Sequence, residues 1–138
     1  MADRITTYNP RKVTMACGNH IVTGFADDSM ISVEPAGDGT SAVVGADGEI
    51  VRSIDPSTLY NVKITLEQTS RTNAYLKNMY EKDKAEGTGT FSINIADIMG
   101  NEKFASPVAW VQKMATWQRG KTQQNVEWNF QAAMGEFK

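Results

Sequence analysis

Hydrophobic and polar residues alternate along most of this chain. From Leu59 to Thr69 the set Tyr60, Val62, Ile64 and Leu66 interleaves with Asn61, Lys63, Thr65 and Glu67. Side chains of an extended strand point to opposite faces with period two, so the pattern predicts a long strand with one buried and one wet face. Stretch 125–132 repeats it, Val126, Trp128 and Phe130 opposing Glu127, Asn129 and Gln131, and 90–97 does so with Phe91, Ile93 and Ile95. Shorter strands are expected at 13–17, 20–25, 29–34, 49–54 and 108–114.

One segment breaks the alternation. Ser70 can cap a helix by accepting from the free N–H groups of its first turn. Residues 70–86 then gather Tyr75, Leu76, Met79 and Tyr80 on one side and Lys77, Glu81, Lys82 and Lys84 mostly elsewhere, and Gly87 supplies the stop. A lone amphipathic helix among strands predicts a mainly β fold, a barrel or sandwich with the helix on its flank. Stretch 34–49 is long for a connection in a compact domain. Its Val43 and Val44 predict a projecting hairpin that contacts something.

Composition narrows the class. A length of 138 residues with 41% hydrophobic and 22% charged residues fits one globular domain, 1–138, rather than a disordered chain. The 14 basic and 16 acidic residues nearly cancel, so no long-range field draws the chain to nucleic acid or to an anionic membrane. Lone Cys17 excludes an internal disulfide framework and fits a reducing compartment. No apolar run approaches the ~20 residues that cross a bilayer, and the first ten residues lack an apolar signal core, so a soluble protein used without export and without a membrane partner is expected.

Each candidate chemistry fails on spacing. The pairs Asp38-Gly39 and Asp47-Gly48 lack the ligand spacing of a calcium loop and read as tight turns. "RGKTQ" at 119–123 has Ala115 where a phosphate-binding loop needs glycine, and a strand pattern follows it rather than a helix. "GTGTFS" has Ser92 in place of the third glycine of a dinucleotide fingerprint. His20 is the only histidine, which leaves a zinc site without ligands; a nucleophilic site would need Cys17 or a serine beside it and an orienting carboxylate such as Asp27 or Asp28. Trp128 lies on the apolar side of a strand and reads as core, whereas Trp117, near Arg119 and Lys121, is the candidate for surface contact; Trp110 has no assigned role. No catalytic, cofactor-binding or metal-binding constellation emerges.

The segments "YNP" (8–10), "TGFADDSMISVE" (23–34), "VGADGE" (44–49), "ITLEQTSRTNAYL" (64–76) and "AWVQK" (109–113) together resemble the tail tube proteins of contractile-tailed bacteriophages. The resemblance implies a β-barrel-like core with one flanking helix, in a fold family that includes the tube subunits of type VI secretion and of tailocins. It implies hexameric rings stacked into a hollow tube inside a contractile sheath, through which genome DNA passes without specific binding. The implied partners are further copies of the chain, the sheath protein, the tube-initiating baseplate and tail-terminator proteins, and a tape measure protein within the tube. The implied location is the virion, after assembly in the host cytoplasm. On this reading Asn61, Lys63, Thr65, Glu67, Glu127, Asn129 and Gln131 line the channel, with Lys63 paired to a neighbouring acid. Tyr8, Asn9 and Pro10 of an N-terminal arm (1–10), with Asp38, Val43, Val44 and Asp47 of the loop, make contacts between rings. Competing readings are an initiator or terminator of the same fold, and a monomeric ligand-binding β-domain using Trp117 and the 34–49 loop.

Overall fold

The computed structural model describes residues 5–27 and 30–138. Asp28, weighed above as an orienting carboxylate, Ser29 of the expected 29–34 strand, and the first four residues of the expected arm lie outside the described residues. The architecture is mainly β. A 3-10 turn, Pro10–Lys12, leads into β1 (Val13–Cys17), β2 (His20–Ile21), β3 (Ile31–Pro35), β4 (Thr40–Val44), β5 (Ile50–Ile54) and β6 (Tyr60–Glu67). Then come α1 (Thr72–Glu86), β7 (Phe91–Asp97), β8 (Glu102–Lys113), β9 (Asn125–Ala133) and β10 (Glu136–Phe137). The main sheet runs β2-β1-β7-β8-β9-β6-β3, with β10 also paired to β8, while β4 and β5 form a separate two-stranded sheet.

The sheet curls until its ends approach, and residues 22–26 bridge them. The Val22 N–H donates to the Met15 carbonyl of β1 at 2.9 Å, and at the other end the Glu67 N–H donates to Gly24 at 2.8 Å and the Ala26 N–H to Thr65 at 3.0 Å. The strand expected over 20–25 is therefore only His20–Ile21, because the chain leaves β1 to cross to β6. Gly24 makes the crossing feasible: its φ is +74°, and a Cβ there would meet the Ser70 side chain at 2.6 Å. The result is a barrel-like wrap around one core of Met15, Cys17, Val62, Ile64, Leu66, Ile93, Phe104, Val111, Trp128 and Phe130, among others.

Strand β8 begins six positions before the expected 108, at Glu102. Pro107 hid the extension, since proline has no N–H for a ladder and interior strands exclude it except at bulges. A bulge is what occurs: Phe91 pairs with Ala109 but Ile93 with Ser106, so β8 carries an extra residue beside Pro107. The buried Ser106 hydroxyl lies 2.7 Å from the Ala133 carbonyl and 3.1 Å from that of Val108.

The expected helix forms and ends as anticipated. Arg71 already has helical dihedrals, and Ser70 caps from outside, its hydroxyl accepting from the Thr72 N–H at 3.2 Å. Gly87 closes the helix at φ +71°, its N–H donating to the Asp83 carbonyl at 2.8 Å. Helix α1 packs on β8 and β2 through fully buried Leu76, with Tyr75, Met79 and Tyr80 half-buried around it. Replacing Leu76→Ala should cost ~2–5 kcal/mol, from lost transfer energy plus a cavity that this many neighbours cannot refill, as read by urea denaturation.

Candidate functional site

Pairing of β6 with β9 in register, Val62 opposite Phe130 and Ile64 opposite Trp128, sends the apolar residues of both strands into the core. The polar residues between them must then share the opposite face. There Asn61 faces Gln131, Lys63 faces Asn129, Thr65 faces Glu127 and Glu67 faces Asn125. All the residues marked in the sequence for a channel are thereby brought onto one surface. The neighbouring strands widen it. Glu34 pairs with Asn61 and Ser32 with Lys63, while on the far side Trp110 pairs with Gln131 and, past a bulge at Gln112, Lys113 pairs with Asn129. Two rows result, Glu34-Asn61-Gln131-Trp110 and Ser32-Lys63-Asn129-Lys113, running across four strands.

Sequence reasoning missed Ser32, Glu34, Trp110, Gln112, Lys113 and Asn125. Alternation within "ISVEP" was a usable signal for the first pair; membership of Trp110 and Lys113 depended on the β8–β9 register and its bulge, which no local pattern specifies. The Trp110 indole N–H donates to Gln131 Oε1 at 3.3 Å, linking these two residues of the polar row. Lys63 does find an acid: its ammonium lies 3.7 Å from the Glu127 carboxylate, with side chains 46% and 54% exposed. At that exposure the pair contributes at most ~1 kcal/mol to stability. Its larger effect is local, leaving Glu34 and Glu67 to set against Lys113 on a face close to neutral.

The second candidate feature differs from its expected bounds. Residues 34 and 35 belong to β3, and the projection is the hairpin Thr40–Ile54, so the strand expected over 49–54 is the hairpin's returning arm rather than part of the main sheet. "IVRSI" is rich in β-branched residues, as sheet strands are, but nothing local states what it packs on, and every residue of β4 and β5 is exposed. Val43, Val44, Ile50, Val51 and Ile54 are 62–69% exposed. Asp47 does shape the tip turn, accepting from the Glu49 N–H at 3.1 Å, whereas Asp38 sits at the base, its N–H donating to Asp55 at 3.1 Å. On the arm, Tyr8 is exposed and Asn9 caps the 3-10 turn by accepting from the Arg11 N–H at 3.0 Å, with Pro10 its first residue.

The cysteine–histidine pair is structural. His20 stacks on Tyr75, centroids 4.4 Å apart, and its Nε2 lies 2.8 Å from the Thr72 hydroxyl, while the Tyr75 hydroxyl donates to the Cys17 carbonyl at 3.0 Å. These contacts fasten α1 to β1 and β2. Burial pushes the Cys17 thiol up to about 12, the reverse of what a nucleophile requires. Trp128 is core, with its indole N–H donating to Asn73 at 3.0 Å, and Trp117 is 75% exposed with the Arg119 guanidinium 4.5 Å over its ring.

The profile of the family described as "Bacteriophage PhiTE tail tube protein" matches residues 13–136, almost the whole chain. The chain belongs to this family. A relative, "Structural protein ORF10" of Pseudomonas phage KPP10, is 32% identical over 119 residues, spanning 80% of this chain and 69% of the relative. The fold of this tail tube family chain also matches solved structures. The anti-feeding prophage cap, a tube terminating cap, aligns with a TM-score of 0.60 at 12% identity over 100% of this chain and 95% of the cap. The PVC sheath/tube terminator of an extracellular contractile injection system, in its extended state, aligns at 0.56 with 12% identity over 99% and 98% of the two chains. At such identities the likeness concerns the fold. Tail tube family membership makes this a structural component of a phage tail, and so of the virion, rather than an enzyme.

A thiol neutral in the fold to about 12 but ionising at 9.0 when exposed means that the native state holds the proton longer than the unfolded chain. Stability from this group is complete below pH 9.0 and declines as pH rises toward 12. Wild type should therefore lose stability relative to Cys17→Ala across that window in denaturant titrations, and at neutral pH the native thiol should resist iodoacetamide until the protein is unfolded.

Proposed function

We propose that this chain is the subunit of the inner tail tube, in which hexameric rings stack and the polar face of β3, β6, β9 and β8 lines the channel for genome DNA. The observation that carries the reading is the charge economy of that face. DNA carries about one negative charge per 1.7 Å of axis, and each lysine or arginine on a phosphate adds salt-dependent affinity. A tube repeats every such contact around each ring and again in every ring. Glu34, Glu67 and Glu127 outnumber Lys63 and Lys113, one of which is already paired, so the wall neither grips the cargo nor repels it strongly. Asn61, Thr65, Asn129, Gln131 and Asn125 supply a hydrated surface without charge.

The remaining surfaces divide among partners in the same reading. The outer edge of β3 ends the main sheet and offers its backbone to a neighbour around the ring. The hairpin and the arm through Pro10 meet the next ring. The α1 face bearing Glu81, Lys82, Lys84 and Glu86 is exposed and looks toward the contractile sheath. Initiator, terminator and tape measure proteins bound the tube at its ends and fill it before ejection, assembly taking place in the host cytoplasm. The chain acts throughout as one tube domain.

Negative-stain electron microscopy of the purified protein tests the reading. Hollow filaments are expected; isolated rings would instead indicate a terminator or initiator, and single particles would overturn the proposal. Glu67→Lys with Glu127→Lys should leave tubes intact but slow DNA ejection from phage carrying the change, because two further cations per subunit then face the phosphates. Replacing 40–54 by a short Gly-Ser turn between Gly39 and Asp55, whose backbones already meet at 2.7 Å, should preserve the fold by circular dichroism yet abolish filaments.

A further inference from the structure

Two unpartnered apolar surfaces of this chain carry opposite charge. The first is the hairpin tip, where Val43, Val44, Ile50 and Val51 flank a turn bearing Asp47 and Glu49. That turn is already formed, with the Gly45 N–H donating to Glu49 at 2.7 Å, the Gly48 N–H to Gly45 at 2.9 Å, and Gly48 at φ +86°. The second is a cleft of about 440 Å³ between the first turns of α1 and the segment following β8. Met114, Trp117, Val126 and Trp128 line it; Lys77 and Arg119 are its charged residues, and no carboxylate lines it.

We infer that the hairpin tip of one copy seats in the Trp117–Arg119 cleft of a second copy, an inference that rests on the tube reading and names the receptor for its hairpin. Charge rules out one alternative, and the exposed Trp117 sets this cleft apart from another of about 440 Å³ lined by Lys103 and Lys138. A larger one, about 910 Å³, runs beside Ile21, Phe25 and Ile31, but among the described residues Asp27 and Asp97 line it against the cation Arg11, and they would oppose an acidic tip. In the smaller cleft Asp47 and Glu49 meet Lys77 and Arg119 while the aliphatic flanks cover Trp117, which a stacked guanidinium holds in place. Tryptophan and arginine are the residue types that concentrate binding energy at the centre of interfaces. A preformed turn also lowers the ordering cost of docking. Tip and cleft are different patches of one chain, so each copy that inserts its hairpin still offers an empty cleft. Such heterologous contacts propagate, as stacking requires.

The test uses the full chain. Asp47→Lys with Glu49→Lys, or Lys77→Glu with Arg119→Glu, should each raise the concentration needed for filaments by about tenfold or more, and all four changes together should restore it. All four residues are exposed, so the folds should survive. As a second measurement, Ala46→Cys and Gln118→Cys in one chain should give a ladder of disulfide-linked oligomers on oxidation, with native Cys17 buried and silent. Rescue and a ladder support the docking. Filaments from wild type with no ladder, or with no rescue in the fourfold variant, overturn it and leave the tube reading standing. Wild-type protein that yields only single particles overturns the tube reading itself, and the ladder then decides the docking alone.

Discussion

The pairing of β6 with β9 organises the rest of this molecule. From Tyr60 opposite Ala132 to Glu67 opposite Asn125, the two strands hold one register along the whole of β6. A slip of one residue would turn every side chain of one strand to the other face. Val62, Ile64 and Leu66 would then meet water while Lys63 and Glu67 entered the core beside Phe130 and Trp128. Burying unpaired charges there is so unfavourable that the register is set by the hydrophobic pattern alone. Once it is set, the polar rows on the far side follow, with the Trp110–Gln131 hydrogen bond and Lys63–Glu127, the one ion pair found among the described residues, lying within them.

This division gives one sheet a core side and a polar side. Its inner side is closed by α1, which Leu76, the His20–Tyr75 stack and the Tyr75–Cys17 hydrogen bond fasten in place. Among the described residues no helix or strand is packed over its outer polar face. The bulges at Pro107 and Gln112 bend β8 so that it can serve β7 and β10 at one end and β9 at the other.

The hairpin β4–β5 stands outside this economy. A two-stranded ribbon in water is marginal without a face to pack on, and this one exposes aliphatic residues on both arms. A monomer gains nothing from such a projection. On the tube reading proposed above, the hairpin and the outer edge of β3 are the places where neighbouring copies would attach.

Much of this was legible from residues 60–67 and 125–132, because period-two alternation reports directly on which side of a strand is wet. Helix α1 and its Ser70 and Gly87 boundaries were legible too, since capping is a local backbone requirement. The tertiary structure alone decided the membership of Glu34, Trp110 and Lys113 in the polar face, for register across three strand pairs is a property of the closed sheet. It decided the extent of β8 through Pro107, which reads as a strand breaker until a bulge accepts it. And it turned 49–54 from an expected sheet strand into the arm of an exposed hairpin: β-branched residues favour an extended backbone, but only the packed fold shows whether the chain itself covers them.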